Sequence, residues 1–78
     1  MNYGILLEKL AELEHEQWIE WSKTIAKEEN ISQKRLARWI PCWKPYKNLS
    51  QESKEQDRKW ARKALQIIKE EEDGKGVS

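Results

Sequence analysis

Leu6-Leu7-Glu8-Lys9-Leu10-Ala11-Glu12-Leu13-Glu14-His15-Glu16-Gln17-Trp18-Ile19-Glu20-Trp21 is the stretch that decides the fold. Leu6, Leu10, Leu13, Trp18, Trp21 and, just beyond it, Ile25 recur at steps of three to five residues. That is the period of an amphipathic helix and not the alternation of a strand. Ile5, Ala11 and Ile19 widen the apolar stripe, and glutamates take much of the opposite face. The pattern predicts a helix over about residues 3–28, with Asn30 as its stop.

Working outward, Ile31-Ser32 restarts a helix. Ser32 is a capping residue, and Ile31 and Leu36 stand at the two positions of a hydrophobic staple. This second helix is short, with Leu36, Trp39 and Ile40 on its apolar side. Pro41 closes it, because the residue before a proline resists helical geometry. Pro41-Cys42-Trp43-Lys44-Pro45 is expected to run extended and Tyr46 to Leu49 to form a loop. Ser50 then caps a third helix to about Glu72, favoured by Glu52 in its first turn. Asp57, Trp60, Ala61, Ala64, Leu65 and Ile68 share one stripe of it, and residues 73–78 read as a disordered tail. No strand or internal repeat is read. The expectation is an all-α, three-helix domain over residues 1–72, with an extended Pro/Trp-containing loop between helices 2 and 3.

Seventy-eight residues lie near the lower limit at which one core holds a fold unaided. Apolar and charged residues each make up 37%, so core material is scarce, and five Trp and two Tyr are expected to supply much of it. Chains this small gain stability by oligomerising, which makes a homodimer the expected state. The net charge of +1 hides segregation. Residues 1–30 carry three lysines against seven glutamates, net −4, and residues 31–63 carry ten Lys or Arg against three acids, net +7. Residues 64–78 carry two lysines against four acids, net −2. An acidic helix beside a basic middle suits pairing within the chain or across a dimer, and exposed basic groups suit an anionic ligand.

The catalytic inventory is poor. His15 and Cys42 are the only histidine and the only cysteine, twenty-seven positions apart. No glycine-rich phosphate loop is present, because Gly4, Gly74 and Gly76 lie near the termini. The expectation is a non-enzyme without cofactor, disulfide or metal. No apolar run approaches the roughly 20 residues that span a bilayer, and Glu8 and Glu12 interrupt any signal peptide. A cytoplasmic protein is expected.

Trp43 to Trp60 packs two tryptophans, a tyrosine, a proline-fixed turn and a dense basic set into eighteen residues. Flat faces beside cations are what a nucleobase and phosphate need, and also what a small helical core uses. Lys54, Arg58 and Arg62, four apart, form a basic ridge. With Lys44 and Lys47 they would surround an anion while Trp43 or Tyr46 stacks, or else form a solvated ridge facing the acidic first helix. His15 and Trp18 share a face, either as a hydrogen-bonded histidine at the core edge or as a ligand-binding wall. Asp57 falls on the apolar stripe and needs a partner, an indole N–H or the loop backbone, which makes it and Trp60 structural support.

His15-x-x-Trp18, followed by Pro45-Tyr46-x-x-Leu49, Lys54 and Asp57-Arg58, resembles the RyR domain. This is the repeat of ryanodine receptors, also found in small bacterial and bacteriophage proteins. The resemblance spans about residues 6–68. It departs from the family at Thr24 to Arg38, which is charged and helical where family members commonly carry a Gly- and Trp-containing stretch. The resemblance implies a cytosolic helical module that binds a nucleotide or nucleotide-derived signal, cyclic or linear, without altering it. A phage-type protein of this kind would sequester a host immune messenger. On that reading Trp43 and Tyr46 stack the base, Lys54, Arg58 and Arg62 meet phosphates, and His15 with Trp18 forms the opposite wall. The rival reading is a homo-oligomerising protein-interaction adaptor. Nucleic-acid binding is disfavoured by the near-zero net charge.

Overall fold

The computed structural model describes residues 2–77, and side chains up to Asp73. The chain is an all-α, three-helix domain, with no strand among the described residues. Helix α1 runs Tyr3–Glu28, α2 Gln33–Trp39 and α3 Gln51–Val77. α1 and α3 lie antiparallel, and the segment from α2 to α3 folds back over one end of their seam.

The local signals act largely as the sequence suggests. The Asn2 side chain accepts from the Ile5 backbone N–H at 3.1 Å, capping α1. Ser32 Oγ accepts from Arg35 N–H at 3.1 Å to start α2, and Ser50 Oγ accepts from Ser53 N–H at 3.2 Å to start α3. α1 ends where Glu29 turns extended, at φ −120° and ψ 157°. α3 continues beyond Glu72, where the tail was expected to begin, to Val77; Ser78 lies outside the described residues. Contacts with the start of α1 reach these last turns. The Tyr3 hydroxyl donates to Glu72 Oε2 at 2.6 Å, and the Lys69 ammonium stands 4.6 Å from the Tyr3 ring centre.

The segment between the two prolines departs from expectation. Ile40–Cys42 forms a 3-10 turn where Pro41 and Cys42 were expected to be extended, Trp43 to Pro45 follow as irregular backbone, and the expected loop after Pro45 holds a second 3-10 turn, Tyr46–Asn48. Proline's fixed φ is compatible with the first turn of a helix, and its missing N–H is unused there. The Trp43 N–H closes the first turn on the Ile40 carbonyl at 3.1 Å, and the Leu49 N–H closes the second on Tyr46 at 3.0 Å.

The core is narrow. Ala11 and Ala61 are wholly buried where α1 and α3 meet, and Tyr46, Leu49 and Leu65 complete the buried apolar set, with Leu7 and Leu10 packed alongside. Alanine at both contact points lets the two helices approach closely. An expectation is corrected here, since of the seven aromatics only Tyr46 is buried. A two-helix seam closed on alanines has no room for indoles, so Trp18, Trp39 and Trp43 lie half-buried along its margin. Trp60, assigned to core support from its stripe, is 55% exposed. It precedes Ala61 by one residue, and a rotation of about 100° per residue carries it off the seam. The Lys63 ammonium covers its ring at 4.3 Å.

Candidate functional site

The margin of the seam near the start of α3 holds a cleft of about 120 Å³. α1 supplies His15 and Trp18, the first 3-10 turn supplies Cys42, and Leu49 and α3 supply the rest, Ser53, Gln56 and Asp57. Ser53, Gln56 and Asp57 stand at i, i+3 and i+4, one face of a helix. Trp18 lies nearly parallel to the His15 ring, with centroids 5.9 Å apart and planes 17° from parallel. Trp39 meets Trp18 edge-on at 6.0 Å, at 78°.

His15 is the hub. It is 3% exposed, and its Nε2 lies 2.7 Å from the Lys44 carbonyl oxygen. A carbonyl only accepts, so Nε2 carries a proton and donates it. Nδ1 then faces Asp57 Oδ2 at 3.5 Å. An unprotonated Nδ1 opposite a carboxylate would set two lone pairs against each other, so this pairing needs a proton between them. Burial pushes the Asp57 carboxyl above the usual aspartate range; the His15 charge opposes that shift and Glu14 adds to it. Asp57 therefore has a partner, and it is the imidazole of α1 rather than the indole N–H or loop backbone expected.

A second network lies on Glu8. Arg58 forks onto its carboxylate, Nε to Oε2 and Nη2 to Oε1, both at 2.8 Å, and a third donor reaches Gln51 Oε1 at 3.2 Å. The buried Tyr46 hydroxyl donates to Glu8 Oε1 at 3.1 Å. The Arg58 hydrogen bonds hold the Glu8 carboxyl below its ordinary range, and the same contact raises the Arg58 guanidinium. Burial, followed by the Glu8 contact, raises the Tyr46 phenol.

These partners divide the expected binding set. His15 and Trp18 reach the cleft, together with Asp57. Trp43 does not line it: its indole N–H donates to the fully buried Ser22 Oγ at 2.9 Å, and Lys23 stands 5.6 Å from its ring centre. Tyr46 is a core residue, and the Lys54 ammonium lies 5.4 Å from its ring centre. The ridge drawn around an anion is occupied from within the chain, Arg58 by Glu8 and Arg62 by Glu55 at 2.7 Å. Arg62 instead lines a shallow hollow with Lys59, Glu52 and Glu55, which shares Gln56 with the cleft. Cys42, Leu49, Ser53 and Gln56 were not among the residues expected at the binding site. The shared helical face of Ser53, Gln56 and Asp57 was legible there, whereas Cys42 arrives only through the 3-10 turn.

The fold brings His15, Cys42 and Asp57 to one cleft despite their separation in sequence. Both ring nitrogens of His15 are already engaged, and the Cys42 thiol lies 3.8 Å from the Arg38 carbonyl, to which it donates. A base that activates a nucleophile needs a free nitrogen toward it. Among the described residues, no group of three or more His, Cys, Asp or Glu is placed to hold a metal ion. Nor is any described helix long and apolar enough to cross a membrane.

The two carboxyls respond to pH with opposite signs. Glu8 is depressed in the fold, so its stabilisation is present above the ordinary glutamate value of about 4.3 and is lost as pH falls through the depressed value. Asp57 is raised, so the fold loses stability as pH climbs from the ordinary aspartate value of about 3.9 through the raised one. Thermal melts across the acid range check both signs. The deficit of Glu8→Gln against wild type should close as pH falls, while Asp57→Asn should gain on wild type as pH rises. Parallel curves would mean that neither carboxyl is coupled to folding.

Comparison with protein-family models, curated protein sequences and solved structures finds no match to this chain.

Proposed function

We propose that this protein is a non-enzymatic binding module whose cleft takes the flat, hydrogen-bonding ring of a nucleotide or nucleotide-derived ligand, cyclic or linear. The observation that carries the reading is the convergence of polar groups on a small aromatic-walled cleft. His15, Ser53, Gln56 and Asp57 stand around one opening, with Trp18, Cys42 and Leu49 as its apolar lining. Sites for small ligands have this make-up, mostly apolar walls with a few placed polar groups. The 120 Å³ of space suits a ring rather than a whole nucleotide, since pockets for drug-sized ligands run to about 300–1,000 Å³.

Any phosphate would lie outside, over the hollow that adjoins at Gln56. There Lys59 and Arg62 are balanced by Glu52 and Glu55, so the base supplies most of the affinity and the phosphates little. The RyR-like spacing of His15, Trp18, Asp57 and their neighbours motivates the ligand class, and sequestration of a signalling nucleotide is the action that suits a binder without chemistry.

The test is a panel of nucleosides and of mono-, di- and cyclic nucleotides, followed by tryptophan fluorescence and thermal shift. A ligand at 100 times its Kd should add about 2.7 kcal/mol to stability. Trp18→Ala and Gln56→Ala should abolish the shift, Arg58→Met should retain it, and affinity should change little with salt. The absence of a shift with any member of the panel would sink the proposal.

The adaptor reading keeps support from one observation. Ile5, Leu13, Trp21, Ile40, Trp60 and Ile67 are all more than half exposed, an unusual amount of large apolar surface for so short a chain.

A further inference from the structure

The chain has more surface than its mass calls for. It exposes 6223 Å², whereas a monomer of this mass typically exposes about 5,000 Å². Its radius of gyration is 15.8 Å and its extents are 53 × 24 × 14 Å, against about 11.5 Å for a compact chain of this length. The excess, roughly 1,200 Å², exceeds the roughly 800 Å² that each partner contributes to a standard interface.

That surface is apolar on one side. Leu6, Leu10 and Leu13 run along one flank of α1, and Trp60 and Ile67 along one flank of α3. Leu10 precedes the buried Ala11 by one residue, and Trp60 precedes the buried Ala61 by one. In an antiparallel pair, equal rotations away from the seam bring both flanks to the same side of the hairpin. Leu13, Trp60 and Ile67 are 57%, 55% and 61% exposed on it. Ile5 is rotated to the opposite side of α1.

We propose that a second copy of this chain covers this side, α1 of each copy lying over α3 of the other to form a four-helix dimer. The charge distribution selects that pairing. α1 carries three lysines against six glutamates, net −3, and α3 seven Lys or Arg against seven acids, net 0, so α1 over α1 is repulsive and α1 over the partner's α3 is not. A closed two-fold contact buries the flank on both copies at once and leaves no patch to propagate. The proposal does not depend on the cleft having a ligand.

Sedimentation equilibrium, from micromolar to millimolar, reads the mass directly. Wild type should have the mass of two chains. Leu13→Glu and Ile67→Glu should each have the mass of one, and Ile5→Glu should remain a dimer. Because both flank residues are exposed within one chain, the variants should keep their helical circular dichroism. Should a variant lose it, the wild-type melting temperature decides instead, since a dimer's rises with protein concentration. A wild-type single-chain mass, a concentration-independent melt, or equal disruption by Ile5→Glu would overturn the proposal.

Discussion

Tyr46→Ala should unfold much of this protein, while Tyr46→Phe should cost it about 1 kcal/mol. Tyr46 is the one buried aromatic and sits in the small cluster with Ala11, Leu49 and Ala61. Truncating a buried aromatic to alanine costs about 3–5 kcal/mol, the transfer free energy plus the cavity left behind. Global stabilities run from about 5 kcal/mol upward, and a chain with five buried apolar residues among those described belongs near the low end. Each kcal/mol moves the melting temperature of a domain this size by about 4–8 °C. Phenylalanine keeps the ring and removes only the hydroxyl that donates to Glu8. Glu8 is not orphaned by this change, because Arg58 still forks onto both its oxygens. Thermal and urea unfolding followed by circular dichroism check both values. The same pair separates core from ligand surface: if Tyr46→Ala keeps its stability but loses nucleotide binding, the tyrosine faces a ligand and not the core.

His15→Ala should be the second most damaging change, about 3 kcal/mol. Leaving a buried polar group without its partner costs about 1–3 kcal/mol, and the upper end applies because only 4% of the His15 side chain and 19% of Asp57 are exposed. Three contacts are lost together: the donor to the Lys44 carbonyl, the group facing Asp57 and the face against Trp18. The carbonyl contact fixes the turn between the two prolines onto α1, so that turn should loosen along with the cleft. A double-mutant cycle identifies which loss dominates. In an Asp57→Asn background the carboxylate left behind is gone, and His15→Ala should cost clearly less than it does in wild type. Strict additivity would show that the two side chains do not depend on each other, and would refute the shared-proton arrangement.

Much of the secondary structure was legible because its causes are local. The three- to five-residue recurrence from Leu6 to Ile25 set α1, Ser32 and Ser50 set the starts of the next two helices, and the absence of any alternating run argued against a sheet. Pro41 misled, since its fixed φ fits a 3-10 turn as well as an extended loop, whereas Pro45 is extended at φ −56° and ψ 145°. The stripe of α3 placed Ala61 and Leu65 correctly in the seam but carried Trp60 with them. Residue type also misled, because tryptophans suggest a core, whereas the alanines at 11 and 61 close the seam too tightly to admit them.

For the site, His15 and Trp18 could be grouped from their spacing on one helix, and Asp57 from its polar side chain on an apolar stripe. Their convergence could not. Which of the six glutamates of α1 pairs with which of the two arginines of α3 depends on how the helices register, and Glu8 finds Arg58 across fifty positions of sequence. That pairing turns an apparent phosphate ridge into an internal clamp, and it moves the polar opening to Ser53, Gln56 and Asp57.

The sequence by itself determined three helices, their caps, an acidic first segment and a basic middle, because periodicity, capping and charge are properties of neighbouring residues. Only the tertiary structure decided which cations are already neutralised, which aromatic is buried, and that one flank of the α1–α3 hairpin is left apolar. Those outcomes depend on the register and rotation of two helices packed on alanine, and no local run of residues encodes either.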